Sequence, residues 1–66
     1  MFEKLTQFIY SLDADGHGSC MDFKNKTLEV TLRMKNGVRI EAKDTLDEEG
    51  VERIIENIKL QINKIT

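Results

Sequence analysis

The chain is 66 residues long, 33% charged, with a formal net charge of −2 and one cysteine. That length leaves room for one small α+β domain spanning residues 1–66, and a chain of this size buries only about 60% of its unfolded surface. One cysteine excludes an internal disulfide, and no apolar run approaches the roughly 20 residues of a membrane span.

The first element is a helix. Phe2, Leu5, Ile9 and Leu12 recur at spacings of three and four, with Phe8 on the shoulder of the stripe, which is the period of one buried helix face. Glu3 and Lys4 fall inside this stripe, so the segment does not have the form of a signal peptide. With a lone thiol, a cytoplasmic location is expected. Tyr10 lies well off the stripe.

Asp13 to Ser19 (DADGHGS) is expected to be a loop, with Asp13 and Asp15 as turn formers and Gly16 as the C-cap of the first helix. The same residues resemble the opening half of an EF-hand calcium loop. Asp13 and Asp15 occupy the first and third ligand positions and Gly18 the glycine at the sixth. The resemblance implies a weak divalent-cation site at Asp13 and Asp15. It departs from the family at His17, where Asp or Asn is preferred, and at Lys24, where a bidentate Glu is required. His17 is the only histidine, and no cluster of Cys, His or acid has zinc spacing around it.

Three strands follow, read as an antiparallel meander over Ser19 to Lys43. Met21 and Phe23 alternate with Cys20 and Asp22. A two-residue Asn25-Lys26 loop would set Phe23 opposite Leu28 and Met21 opposite Val30. Leu28, Val30, Leu32 and Met34 alternate with Glu29, Thr31 and Arg33, and Val38, Ile40 and Ala42 with Arg39, Glu41 and Lys43. Period two places one apolar face on each strand. The Asn36-Gly37 pair suggests a two-residue turn, but that turn would set Met34 against Arg39 and mix the faces. A three-residue Lys35-Asn36-Gly37 loop keeps them apart, with Met34 facing Val38, Leu32 facing Ile40 and Val30 facing Ala42. Gly37 then takes the left-handed position of a type I turn with a G1 bulge. Cys20 falls on the polar face with no cationic neighbour in sequence to activate it.

The last element is a helix carrying Val51, Ile55, Ile58, Ile62 and Ile65 on one stripe, widened by Ile54. Thr45 with Glu48 three residues on reads as a capping box, so the helix is expected to start there. Gly50 lies within its first turns, at a cost of about 1 kcal/mol relative to Ala, and suggests close approach to the sheet. Leu60 points away from the stripe. Asp47, Glu48, Glu49 and Glu52 sit where the helix dipole favours acids. The architecture is therefore a two-layer α-β-β-β-α domain, with both helices on one face of a three-stranded antiparallel sheet.

No nucleophile–base pair, phosphate loop or dinucleotide fingerprint appears, so neither an enzyme nor a cofactor is expected. The element order resembles that of the double-stranded RNA-binding domain in topology. That family clamps phosphate with a basic N-terminus on its last helix; Asp44, Asp47, Glu48, Glu49 and Glu52 occupy that end here, so nucleic acid is not the expected partner. The chain is also similar, in size and topology alone, to phage-encoded inhibitors of bacterial defence nucleases.

Binding is left to the polar sheet face. Six basic residues (Lys24, Lys26, Arg33, Lys35, Arg39, Lys43) stand there or in its turns against Glu29 and Glu41. Arg33 and Arg39 should lie directly opposite each other, a repulsion that a counter-anion would relieve. The Lys35 turn should lie beside Asp13 and Asp15, and the Lys24/Lys26 turn beside Asp44 to Glu49. The reading is a non-catalytic protein–protein interaction module (adaptor, regulator or inhibitor) contacting an unidentified protein through Arg33, Lys35, Arg39, Glu41 and Lys43. The alternatives are the calcium half-loop and nucleic-acid binding through the basic hairpin. A core this small makes a homo-oligomer a further expectation, with Tyr10 and Leu60 as contacts.

Overall fold

The computed structural model describes residues 2–65. The elements are α1 (Phe2–Ser11), β1 (Ala14–Asp22), β2 (Thr27–Met34), β3 (Arg39–Thr45) and α2 (Glu48–Ile65). The strands form one antiparallel sheet in the order β1-β2-β3, and both helices contribute to a core on one of its faces. This is the expected α+β architecture.

The core centres on β2. Leu28, Val30 and Leu32 are fully buried, joined by Ile40 and Ala42 of β3, Val51, Ile54, Ile55 and Ile58 of α2, and Leu5 and Ile9 of α1. Each large aliphatic side chain so buried contributes about 1.5–3 kcal/mol relative to exposure. Ile62 and Leu12 pack at the margin. Burial of Ile65, the last expected member of the α2 stripe, lies outside the described residues. Lys4 Nζ reaches Glu52 Oε1 at 3.2 Å, tying α1 to α2.

The second hairpin has the expected register. Leu32 pairs with Ile40, Val30 with Ala42 and Arg33 with Arg39. The Met34 N–H donates to Val38 O at 2.8 Å and the Gly37 N–H to Met34 O at 2.9 Å, while Gly37 has φ of 89°. This is a type I turn closed by a left-handed glycine.

The first hairpin differs. Met21 pairs with Leu28 and Asp22 with Thr27, so the connection is four residues, Phe23 to Lys26, rather than two. Met21 keeps its expected face but pairs two residues away from the expected Val30, and Phe23 sits in the turn, 75% exposed. Asp22 supplies the reason. Its Oδ1 accepts the N–H groups of Lys24 (3.0 Å) and Asn25 (3.1 Å), and its Oδ2 the Asn25 side-chain amide (2.8 Å). A side chain capping the turn this way favours the longer loop, and Lys26 closes it at φ of 54°.

β1 also starts earlier than expected. Residues 14–22 are a strand, not a loop up to Ser19, and Gly16 is a strand residue rather than a helix C-cap. A register shift between Ala14 and Gly16 marks a bulge at Asp15, which re-aims the chain as it enters the sheet. On the helix side of β1 lie His17, Ser19 and Met21, facing Leu32, Val30 and Leu28. His17 and Ser19 are too polar or too small to fill the layer and Met21 stays 40% exposed, so no β1 residue belongs to the buried core.

α2 begins at Glu48, not Thr45. The N-cap is Asp47, whose Oδ1 accepts the Gly50 N–H at 2.6 Å, the N-cap to N3 bond. Thr45 Oγ1 donates to Asp47 Oδ1 at 2.9 Å and so supports the cap without being it. Gly50 is buried against the end of β3: a Cβ there would overlap the Thr45 carbonyl. No helix among the described residues is long and apolar enough to cross a membrane.

Candidate interaction surface

The polar sheet face assembles from alternate residues of all three strands. Arg33 and Arg39 are direct cross-strand partners. Arg39 Nε bonds Glu41 Oε1 at 2.9 Å, along its own strand. Arg33 has no ion-pair partner among the described residues. On its other side Arg33 pairs with Gly16, and the neighbouring Thr31 with Gly18.

Those glycines leave a strip of β1 without side chains on this face. A Cβ at Gly18 would meet nothing within 4 Å, and one at Gly16 only the tip of Arg33. The result is a shallow depression of about 370 Å³ lined by Gly16, His17, Gly18, Thr31, Arg33 and Arg39. A guanidinium fork beside bare backbone suits a carboxylate, since Arg presents two parallel N–H donors to such a group. Thr31 and Glu41 form the next cross-strand pair on this face and Glu29 and Lys43 the one after it, with Cys20 opposite Glu29 on the other side. Cys20 is exposed, as its polar-face position implied.

The charges at the two ends of the sheet behave differently. At the Lys35 turn, Lys35 Nζ lies 2.6 Å from Asp13 Oδ1, and this bond raises the Lys35 pKa above the ordinary lysine value. Asp13 is thus engaged by a cation of the protein, while Asp15 occupies the bulge at the start of an extended strand. A calcium loop must curl its first and third ligands around one point, and residues 14–22 do not curl.

At the opposite end, Leu46 N–H donates to Lys26 O at 2.9 Å, which puts the two turns together as expected. The acids there take partners from their own end of the fold. Arg53 of α2 grips Asp44: Nε lies 3.1 Å from both carboxylate oxygens and the terminal nitrogen 2.9 Å from Oδ1. The same nitrogen donates to Thr45 Oγ1 at 3.0 Å. The Arg53 bonds, with the Thr45 N–H, hold the Asp44 pKa down to about 2. The Gly50 N–H lowers that of Asp47. These acids are committed to holding α2 on β3.

Tyr10 and Leu60 do not meet. Tyr10, 72% exposed, packs edge-on against His17 with ring centroids 5.6 Å apart. Both line a cleft of about 160 Å³ between α1 and β1, floored by Leu28 and Met21. Leu60, 60% exposed, lies on the solvent side of α2 among Arg53, Glu56 and Asn57.

The Gly16/Gly18 strip and the Asp44–Arg53 clamp were not anticipated from sequence. The strip has a legible signal, because Gly16, Gly18, Cys20 and Asp22 share parity. The clamp has none, since nothing in the nine-residue separation of Asp44 and Arg53 marks them as partners. No protein-family model, curated protein or solved structure matches the chain.

Proposed function

We propose that this chain is a non-catalytic protein–protein interaction module that receives an acidic segment of a partner on its polar sheet face. The observation that carries the reading is Arg33. It faces a second arginine across the ladder and borders side-chain-free backbone, yet it has no acid of its own. A partner carboxylate there relieves the repulsion and gains a forked pair. A protein segment fits better than nucleic acid, because no Phe, Tyr or Trp on the strands of this face offers a stacking surface and Glu29 and Glu41 interrupt the positive potential. A cytoplasmic setting accords with the single exposed thiol. Lys35 is the weakest member of the set, being occupied by Asp13.

The test is an amide NMR titration of labelled protein with an oligo-glutamate peptide, at low salt and again at about 0.5 M salt. Shifts gathered on Gly16, Gly18, Thr31, Arg33 and Arg39, weakened by salt and lost in Arg33→Glu/Arg39→Glu, support the reading. A spectrum that does not move, or moves equally in the folded double variant, removes this face from consideration.

A further inference from the structure

We infer that the free edge of β1 is a self-pairing edge, on which a second copy of this chain adds antiparallel through residues 17–21 to give a continuous six-stranded sheet. This goes beyond the polar-face reading and does not depend on it.

The two edges of the sheet are built differently. Met34 N–H bonds to Val38 O, so Met34 turns its backbone toward β3. Alternation along β2 then turns Arg33, Thr31 and Glu29 toward β1, and with them the paired Gly16, Gly18 and Cys20. His17, Ser19 and Met21 are left with N–H and C=O directed outward. The same alternation directs the Glu41 carbonyl out of the far edge of β3, and there Gln61 Nε2 of α2 donates to it at 2.9 Å. The β3 edge also carries Arg39, Glu41 and Lys43 in succession. It is capped and charged, as edges that avoid pairing are. Residues 16–21 of β1 carry no Lys, no Pro and no bulge past Asp15.

Charge identifies the occupant as the chain itself. Asp13 and Asp15 stand at the start of β1, and the turn that follows it holds Lys24 and Lys26. Antiparallel pairing about Ser19 sets His17 against Met21 of the second copy. It also brings the Asp13/Asp15 end of each copy beside the Lys24/Lys26 turn of the other, twice over by symmetry. Parallel pairing would set like charge on like charge. Apolar surface supports the same choice. Tyr10 and Met21 line the open cleft over β1, and Phe23 at the end of the strand is 75% exposed. Extending the sheet brings the α1 of each copy over the junction and closes both clefts.

The experiment is sedimentation of the full chain from about 10 µM to 1 mM, with two variants. A species of twice the 7.6 kDa chain mass is expected. Ser19→Lys should raise its dissociation constant at least tenfold with the circular dichroism spectrum unchanged. In a Cys20→Ser background, Ser19→Cys should cross-link under mild oxidation, because Ser19 meets its own copy at a spacing a disulfide can bridge. Thr31→Cys, on the central strand, should not. A monomer throughout, or a dimer that ignores Ser19→Lys and fails to cross-link at Ser19→Cys, overturns the inference. If Ser19→Lys fails to fold, the cross-linking pair alone decides.

Discussion

Asp44 at the end of β3 and Arg53 in the second turn of α2 form a forked ion pair, with Arg53 Nε 3.1 Å from both carboxylate oxygens of Asp44. The pair joins the edge of the sheet to the helix that covers it, at the point where the chain turns through Leu46 and Asp47. Asp44 keeps only 26% of its side-chain surface exposed, so the pair is better shielded than the other ion pairs among the described residues.

A pH dependence follows from it. Asp44 titrates at about 2 in the folded chain, against about 3.9 when unfolded. Its contribution is therefore fully present above pH 4 and is lost as pH falls from 4 toward 2. After allowance for solvent around Arg53, Asp44→Asn should cost roughly 1 kcal/mol at pH 7, or about 4–8 °C in Tm for a domain of this size. Melting curves of both proteins from pH 7 to pH 2 should converge at the acid end. A constant gap across that range would assign the loss to packing rather than charge.

Gly50→Ala tests the close approach of α2 to β3. Helix propensity alone favours Ala by about 1 kcal/mol. The added methyl, however, meets the Thr45 carbonyl head-on, and backbone cannot swing aside as a side chain tip can. Overpacking of this kind costs about 1–3 kcal/mol. The variant should melt below the parent by chemical denaturation; a higher midpoint would show that the helix start shifts freely.

Gly37→Ala probes the turn that keeps the second hairpin in register. At φ of 89° a Cβ is strained although the surrounding space is open, at a cost of about 1–2 kcal/mol. Gly37→Asn should recover part of the loss, since Asn tolerates this region. Asn36 is a separate support, accepting the Val38 N–H at 3.0 Å. Equal midpoints for the Ala and Asn variants would count against backbone strain as the cause.

The contrast between the two hairpins shows what the sequence makes legible. Between β2 and β3 both strands carry strict alternation, so of the two turns the Asn36-Gly37 segment offers only the three-residue one keeps Leu32, Ile40, Val30 and Ala42 on one face, and its register is the observed one. Strand β1 has no such pattern. Its helix-side residues are His17, Ser19 and Met21, and the pairing is decided by Asp22 folding back onto Lys24 and Asn25, a local bond that outweighs the burial Phe23 would gain. The Asp13–Ser19 segment misleads for a related reason: glycines that look like loop residues are tolerated in an edge strand because nothing packs over them. The Arg33–Arg39 pairing was legible because it depends on the strong register. The empty strip beside Arg33 was legible only as the shared parity of Gly16 and Gly18; its place next to Arg33 depends on the weak register.

Arg33→Glu separates stability from binding at the polar face. Replacing one arginine of the cross-strand pair converts a repulsion into an attraction, worth about 0.2–1 kcal/mol for directly opposed residues. Arg39 then has acids on two sides, Glu41 along its own strand and the new one across the ladder. The variant should melt a few degrees above the parent at low salt, and the difference should shrink as salt screens the exposed charges. Its affinity for an acidic peptide should fall at the same time, because the unpaired guanidinium of the depression is gone. A rise in Tm together with lost binding is the pattern of a charge held for a partner at the expense of the fold. A rise in Tm with binding intact would move the contact to Arg39 and Lys43, and a fall in Tm would mean that Arg33 already serves the folded chain through its stem.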